Sequence, residues 1–588
     1  MTMSQSTLPK LRRASQILFF ALFLFDLFGT EFRGSLKGVS GDIRLRLPIP
    51  YPAIFLQSDP LVAISNALAS RALYRGLLWS LVILIPTFFL GRFFCGWICP
   101  LGTLHHFFSH LKSEKKRGQR LIESNRYKNW QATKYYLLAV LLVSSLFGVL
   151  MPALMDPISL LIRSLTVSVL PGLNLAFNAV LDSLYRPNSG VLGFLAHFLQ
   201  WLLNATLLSY RQPHFRQGFF LGVILITLLA LNLRVTRFWC RALCPLGALL
   251  GLVSRWSILG MEKRSSDCDD CNRCLLHCQG GDDPIPGVPW RKAECHFCFN
   301  CVSDCPKSGV QFKFFPEPGR GERCSPEPNA NAGSNANARP NAVRPYETTL
   351  AGPQLQRRKL LASVAAGAAL LPMFRSTTIF SVERSPRLIR PPGSLDEADF
   401  LARCIRCGEC MKVCPNNALH PALTEAGLEG LWSPVLVSRV GYCEPSCTLC
   451  GQVCPTGAIW EITQAEKAWL PAASPTDAKP GKPIRLGTAF YDQGRCLPWS
   501  MATECIVCEE WCPTSPKAVY LVTAEVVDAE GKVKQVRQPH VDPNRCVGCG
   551  ACEFACPVKD RPAVYVTSIG ESRSRTHQIL LQRATKES

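Results

Sequence analysis

Six short runs of four cysteines, a set of long apolar segments in the first 264 residues and a length of 588 residues together predict a multi-domain fold. They predict an α-helical transmembrane bundle joined to α+β, bacterial-ferredoxin-like 4Fe-4S domains. A prior of about 150 residues per domain gives several units rather than one. With 48% hydrophobic and only 18% charged residues, the chain is too apolar to be disordered over most of its length. Its 29 cysteines sit in a chain large enough to need no disulfide staples, which points to metal or redox chemistry. The formal charge of +21 has three candidate causes: nucleic acid, anionic lipid or membrane topology. The positions of the charges choose among them.

Residues 1–264 read as the membrane domain. Ile17 to Phe28, Gly76 to Leu90, Tyr135 to Leu150 and Phe219 to Leu233 are apolar and, with their flanks, approach the roughly 20 residues that cross a bilayer. The stretch Lys112 to Lys134 holds eight Lys or Arg, against four in the longer Leu154 to Gln217, which places the former in the cytoplasm. Lys10, Arg12 and Arg13 at the amino terminus agree; Arg33, Lys37, Arg44, Arg46, Arg71 and Arg75, after the first span, do not. Val191 to Leu208 is read as lying at the outer interface. The basic excess thus maps partly to inner loops, and nucleic-acid binding has little claim on it.

Within this domain one pattern, R-F-aromatic-C-x3-C-P-L-G, occurs twice at an offset of 145 residues, with Cys95 and Cys99 in the first copy and Cys240 and Cys244 in the second. In a helical stretch, cysteines four apart share a face, so the two pairs can point at each other. Three readings stay open: a further metal or cluster site, a redox-active thiol system near a quinone pocket, or apolar packing at a proline-marked helix end. Four cysteines at matched positions exceed what packing needs, which favours a redox role. His105, His106 and His110 follow the first repeat and are expected on a solvated helix at the inner interface rather than as proton or quinone ligands.

Residues 265–315 carry two cluster motifs. Cys295, Cys298, Cys301 and Cys305 follow C-x2-C-x2-C-x3-C-P; Cys268, Cys271, Cys274 and Cys278 keep the spacing, but Gln279 stands where the proline would be. Three such thiolates cap one 4Fe-4S cube and the fourth reaches its neighbour. Cys305 is therefore expected to complete the site of Cys268, Cys271 and Cys274, and Cys278 that of Cys295, Cys298 and Cys301. Residues 316–354, rich in Pro, Asn, Ala and Gly, form a low-complexity linker in which Cys324 stands alone. Residues 355–380, opening on Arg357-Arg358-Lys359, resemble a twin-arginine signal or anchor.

Residues 385–570 carry four more motifs, ahead of a tail at 571–588. Cys404, Cys407, Cys410 and Cys414, and Cys546, Cys549, Cys552 and Cys556, keep the ferredoxin spacing. Cys443, Cys447, Cys450 and Cys454 have one extra residue in the first gap, and Cys496, Cys505, Cys508 and Cys512 an insertion of eight. Zinc and disulfides fit poorly: zinc ribbons separate two C-x2-C knuckles, and cysteines three apart on a tight loop cannot all pair locally. Short strands are expected at Gly309 to Phe314, Ala458 to Ile462, Ala518 to Val522 and Ala563 to Val566.

Residues 1 to about 315, with their two C-P-L-G repeats and two cluster motifs, resemble the NapH-type membrane subunit of quinol dehydrogenases. Residues from about 355 to 570, with the twin-arginine-like start, Arg390-Pro391-Pro392-Gly393 and four motifs, are similar to the NapG/MauM ferredoxin family. Fusion of the two implies six 4Fe-4S clusters, a quinol dehydrogenase component drawing electrons from the membrane quinone pool, and a periplasmic cytochrome or reductase as partner. It implies a multi-pass protein of the bacterial inner membrane, the first two clusters cytoplasmic and the last four periplasmic. Spacing does not determine how the four later motifs pair; analogy with other four-cluster subunits suggests nesting, first with fourth and second with third. No haem, flavin or NAD motif is read. Two alternatives remain: a maturation factor for a periplasmic metalloenzyme, and a relay from a cytoplasmic ferredoxin across the membrane.

Overall fold

The computed structural model describes residues 7–36, 54–73, 75–113, 118–186, 190–204, 213–263, 271–282, 290–307, 309–315, 355–468 and 484–573. Cys268, the 316–354 linker with Cys324, and nearly all of the 571–588 tail lie outside them. The chain forms two compact units, one of residues 1–23, 79–140 and 226–364, the other of residues 24–78, 141–225 and 365–588.

In the first unit the two C-P-L-G repeats build the same corner. A short helix, Phe93–Trp97 or Phe238–Ala242, is followed by a break and then by a longer helix, Pro100–Ser113 or Pro245–Ser254. Proline starts each longer helix because its missing N–H is an orphan at that position anyway. Cys99 and Cys244 precede those prolines, and their sulfurs accept the amides of Gly102 (3.4 Å) and Gly247 (3.2 Å). Glycine is required there: a Cβ on Gly102 would lie 2.8 Å from the Cys95 carbonyl, and one on Gly247 2.8 Å from the Arg92 guanidinium. Cys95 and Cys99 therefore belong to two helices rather than sharing a face of one, as the sequence suggested. Beyond the second corner, strands β1 (Leu259–Lys263) and β2 (Val310–Phe314) pair antiparallel, from Leu259 opposite Phe314 to Lys263 opposite Val310. They close a loop of chain that carries both inner cysteine motifs.

In the second unit, two ferredoxin-like halves follow each other. In the first half, β3 (Leu419–Pro421) pairs with β4 (Pro434–Leu436), and Ser394 bridges to Ile459. In the second half, β5 (Thr488–Tyr491) pairs with β8 (Val564–Thr567), and a hairpin of nine-residue strands, β6 (Val519–Val527) and β7 (Val533–Val541), is inserted between its motifs. The expected strands are found, except that the 458–462 segment is reduced to the single bridge at Ile459. Arg390 of the R-P-P-G segment is buried and donates to Ser433 Oγ (2.8 Å) and the Pro434 carbonyl (2.7 Å). It also pairs with Glu397 at 2.6 Å, which Arg573 engages from the other side at 2.8 Å.

Although burial opposes ionisation, the two guanidiniums hold the Glu397 carboxyl down at about 2. A carboxyl depressed in the fold contributes stability above its ordinary range and loses it as pH falls towards about 2. Glu397→Gln is expected to cost about 3 kcal/mol at neutral pH, because Arg390 keeps a buried charge without its counterion. The gap in apparent melting temperature between variant and parent should narrow steadily below pH 4.

Two helices are long and apolar enough to cross a membrane, Pro157–Tyr185 and Arg357–Thr377; Gly76–Leu90 and Gly218–Leu233 are shorter apolar helices. Ile17 to Phe28 lies within the 30-residue helix Thr7–Leu36, and most of Tyr135 to Leu150 within Thr133–Leu146. Among the described residues, none of the four segments read as spans combines the length and hydropathy of the first two. Pro157–Tyr185, which the charge bias left outside, does. Pro171 and Gly172 interrupt it in sequence, but a π-helical turn at Leu165–Val169 carries the helix into Leu170–Tyr185.

Candidate iron–sulfur sites

Among the described residues, the three runs that begin at Cys295, Cys404 and Cys546 curl by the same device. The second and fourth residues after the first cysteine are left-handed: Phe297 (φ 49°) and Phe299 (56°), Arg406 (57°) and Gly408 (91°), Gly548 (69°) and Gly550 (84°). Two such residues in five wrap the loop so that three sulfurs face one space. For phenylalanine and arginine this conformation costs energy, which the surrounding structure must hold in place.

The fourth cysteines are exchanged between adjacent motifs. Cys404, Cys407 and Cys410 share a cavity with Cys454, while Cys414 lies among Cys443, Cys447 and Cys450. Cys496, Cys505 and Cys508 share one with Cys556, and Cys512 one with Cys546, Cys549 and Cys552. The later motifs therefore pair first with second and third with fourth, which corrects the nested arrangement expected by analogy. The reason is the sheet: β5 precedes the third motif and β8 follows the fourth, so their pairing closes the half around those two motifs alone. In the first unit Cys278 shares a cavity with Cys295, Cys298 and Cys301, as the exchange rule required, and Cys274 lines that cavity too. Of the cysteines expected at the other inner site, Cys271, Cys274 and Cys305 are among the described residues and Cys268 is not.

The halves of the second unit meet where the Cys443 amide donates to the Cys549 carbonyl at 2.8 Å. The sites thus adjoin in the order Cys404 site, Cys443 site, Cys546 site and last Cys496 site. The Cys404 loop packs on the π-helical turn, where a Cβ on Gly408 would lie 3.7 Å from Val167, and Arg163 donates to the Arg406 carbonyl at 3.2 Å.

These donor sets fit 4Fe-4S cubes. Burial pushes the Cys301, Cys410 and Cys552 thiols well above their ordinary range, so each takes the thiolate form only against a cationic centre such as iron. Among the described residues no three His, Cys, Asp or Glu side chains close on a single ion. Backbone amides reach the sulfurs of Cys295 (3.3 Å), Cys305 (3.3 Å), Cys414 (3.3 Å) and Cys454 (3.4 Å), and the Tyr491 hydroxyl donates to Cys508 at 3.2 Å. Hydrogen bonds to sulfur are a main lever on cluster potential.

The repeat cysteines Cys95, Cys99, Cys240 and Cys244 are all buried and close enough to interact electrostatically. The repeat arginines Arg92 and Arg237 are fully buried beside them, Arg237 donating to the Cys95 carbonyl at 2.8 Å and Arg92 to the Ala293 carbonyl at 2.8 Å. Arg92 also lies 3.9 Å from the buried Glu294 carboxylate, so one of these two cations already faces a counterion. His105 is fully buried and 2.6 Å from Asn232 Nδ2, which corrects the expectation of a solvated helix face. Helical periodicity could not show this, since the partner comes from 127 positions away.

Comparisons with known proteins agree with these sites. A family described as "4Fe-4S binding domain" matches residues 72–118 and 217–259, which contain the two repeats. A "4Fe-4S dicluster domain" matches 403–458, and a second "4Fe-4S binding domain" family matches 537–558. The ferredoxin-type protein NapG of Escherichia coli K12 is 32% identical over 223 residues, 37% of this chain and 87% of that protein. The methylamine utilization ferredoxin-type protein MauM is 34% identical in Methylorubrum extorquens, over 32% of this chain and 76% of that one, and 31% in Methylophilus methylotrophus, over 35% and 84%. No solved structure matches. The adjacent-motif cysteine exchange and these identities together establish that the chain belongs to the NapG/MauM family of ferredoxin-type, iron–sulfur electron-transfer proteins.

Proposed function

We propose that this chain is a membrane-bound relay that oxidises quinol and passes the electrons to a redox partner in the periplasm, as a fusion of a NapH-type membrane subunit with its NapG/MauM-type ferredoxin. The observation that carries the reading is the succession of four adjoining cysteine sites in the second unit, along which electrons can pass from one to the next. Loaded cubes would accept and release one electron each, splitting the two-electron oxidation of a quinol into single steps. The basic loop at residues 112–134 and the apolar twin-arginine-like helix support an inner-membrane protein with its first two clusters inside and its last four outside.

The test is anaerobic, with full-length protein in lipid nanodiscs and its iron intact. A menaquinol analogue should bleach the visible absorbance of the clusters within seconds, and reoxidation should follow addition of a periplasmic cytochrome. Clusters that dithionite reduces but the quinol analogue leaves oxidised would remove quinol as the donor.

A further inference from the structure

Gln279 stands where the other inner motif has its proline, and the iron–sulfur sites give it no role. Its side chain is buried at 2% exposure, and both amide atoms, Oε1 and Nε2, lack a partner. It lines a cleft of about 210 Å³ in the first unit, together with Arg13, His106, His110, His277 and Asp304. One wall of this cleft is the cysteine loop around Leu276 to Gln279, the other the loop from Asn300 to Asp304. The two are tied by His277 Nδ1 to Asp304 at 2.9 Å and by Asn300 Nδ2 donating to the His277 carbonyl at 2.9 Å. The cleft therefore lies against both inner cysteine motifs. Its other walls are the helix Pro100–Ser113, which follows the first C-P-L-G repeat, the start of the helix Thr7–Leu36 and the helix Gln119–Asn125.

An unpaired buried amide costs free energy at its donor and at its acceptor. A metal ion would satisfy only its oxygen, and an inorganic anion only its N–H groups. A quinone ring satisfies both across its redox cycle, since the oxidised form presents carbonyl acceptors and the reduced form hydroxyl donors. The guanidinium of Arg13 in the lining suits the phenolate that appears between those forms, the one carboxylate, Asp304, being engaged by His277. Burial and the nearby Arg237 hold the His106 imidazole neutral, down at about 2, so its ring can accept from a hydroxyl.

We infer that this cleft is the binding site for the quinone headgroup, with Gln279 as its hydrogen-bonding anchor and His106 as the facing acceptor. This rests on the quinol reading above and adds the location of the ring. Leu121, Leu276 and Pro9 supply the apolar contacts of the cleft.

The experiment uses full-length protein in nanodiscs and the fluorescent quinol analogue 2-heptyl-4-hydroxyquinoline N-oxide, whose emission is quenched on binding. Wild type should quench saturably, and Gln279→Leu and His106→Phe should each weaken the dissociation constant at least tenfold with iron content unchanged. Gln279→Asn, which keeps the amide, should retain part of the affinity. Because Gln279 adjoins Cys278, His106→Phe, on a separate helix, decides the matter if the first variant loses iron. Unchanged quenching in His106→Phe with full iron would overturn the site. Two results separate this inference from the quinol reading. If the wild-type clusters are reduced by the menaquinol analogue without any quenching, the site fails and the quinol reading stands. If quenching is lost in the variants but quinol never reduces the clusters, the site stands and the reading fails.

Discussion

Replacing Cys454 by serine should empty the site of Cys404, Cys407 and Cys410 and leave the site of Cys443, Cys447, Cys450 and Cys414 filled. The cavity of the first three holds Cys454 and no other fourth cysteine, so the variant leaves that cube with three thiolates in a site built for four. Six cubes of four irons predict about 24 irons per chain, and the variant should retain about 20. Double substitution tells the pairing from its rival. Cys404→Ala on top of Cys454→Ser removes another ligand of the same cube and should cost no further iron, whereas nested pairing would empty two sites and cost about eight in all. With the first of the adjoining outer sites vacant, reduction of the remaining outer clusters by the quinol analogue should slow by at least a hundredfold. Dithionite, which reaches clusters from solution, should still reduce them. Stopped-flow absorbance and iron assay read both effects.

Cys240→Ser with Cys244→Ser should have an effect of similar size through a different centre. Four buried sulfurs lie together beside two buried arginines, and a serine hydroxyl is a far poorer ligand for iron than a cysteine thiolate. If the repeats hold a seventh cube, wild type carries about 28 irons and the double variant about 24. Quinol-driven reduction of the outer clusters should fall at least a hundredfold while the ferredoxin-type signals in the EPR spectrum persist. An unchanged rate and iron count would return the repeats to a packing role. Local misfolding is controlled by Cys240→Ala, which keeps the small apolar volume that packing would require.

Much of the architecture is legible from neighbours in sequence. A C-x2-C-x2-C loop carries its own instructions, because three sulfurs within seven residues face one point once two residues turn left-handed; in the Cys546 run both of these are glycines. C-P-L-G likewise specifies a helix start, with sulfur as cap, proline first and a glycine where a Cβ would collide. The Cys278 exchange was readable because only two motifs lie between β1 and β2.

Where several local solutions compete, only tertiary structure chose. Four motifs can exchange their last cysteines in more than one way, and the choice fell to the long-range pairing of β5 with β8, 73 to 79 residues apart, which no spacing within a motif encodes. The same holds for burial. His105 reads as a polar residue on a solvated helix face until Asn232 is brought against it, because desolvation depends on every chain segment nearby rather than on the residue's own neighbours.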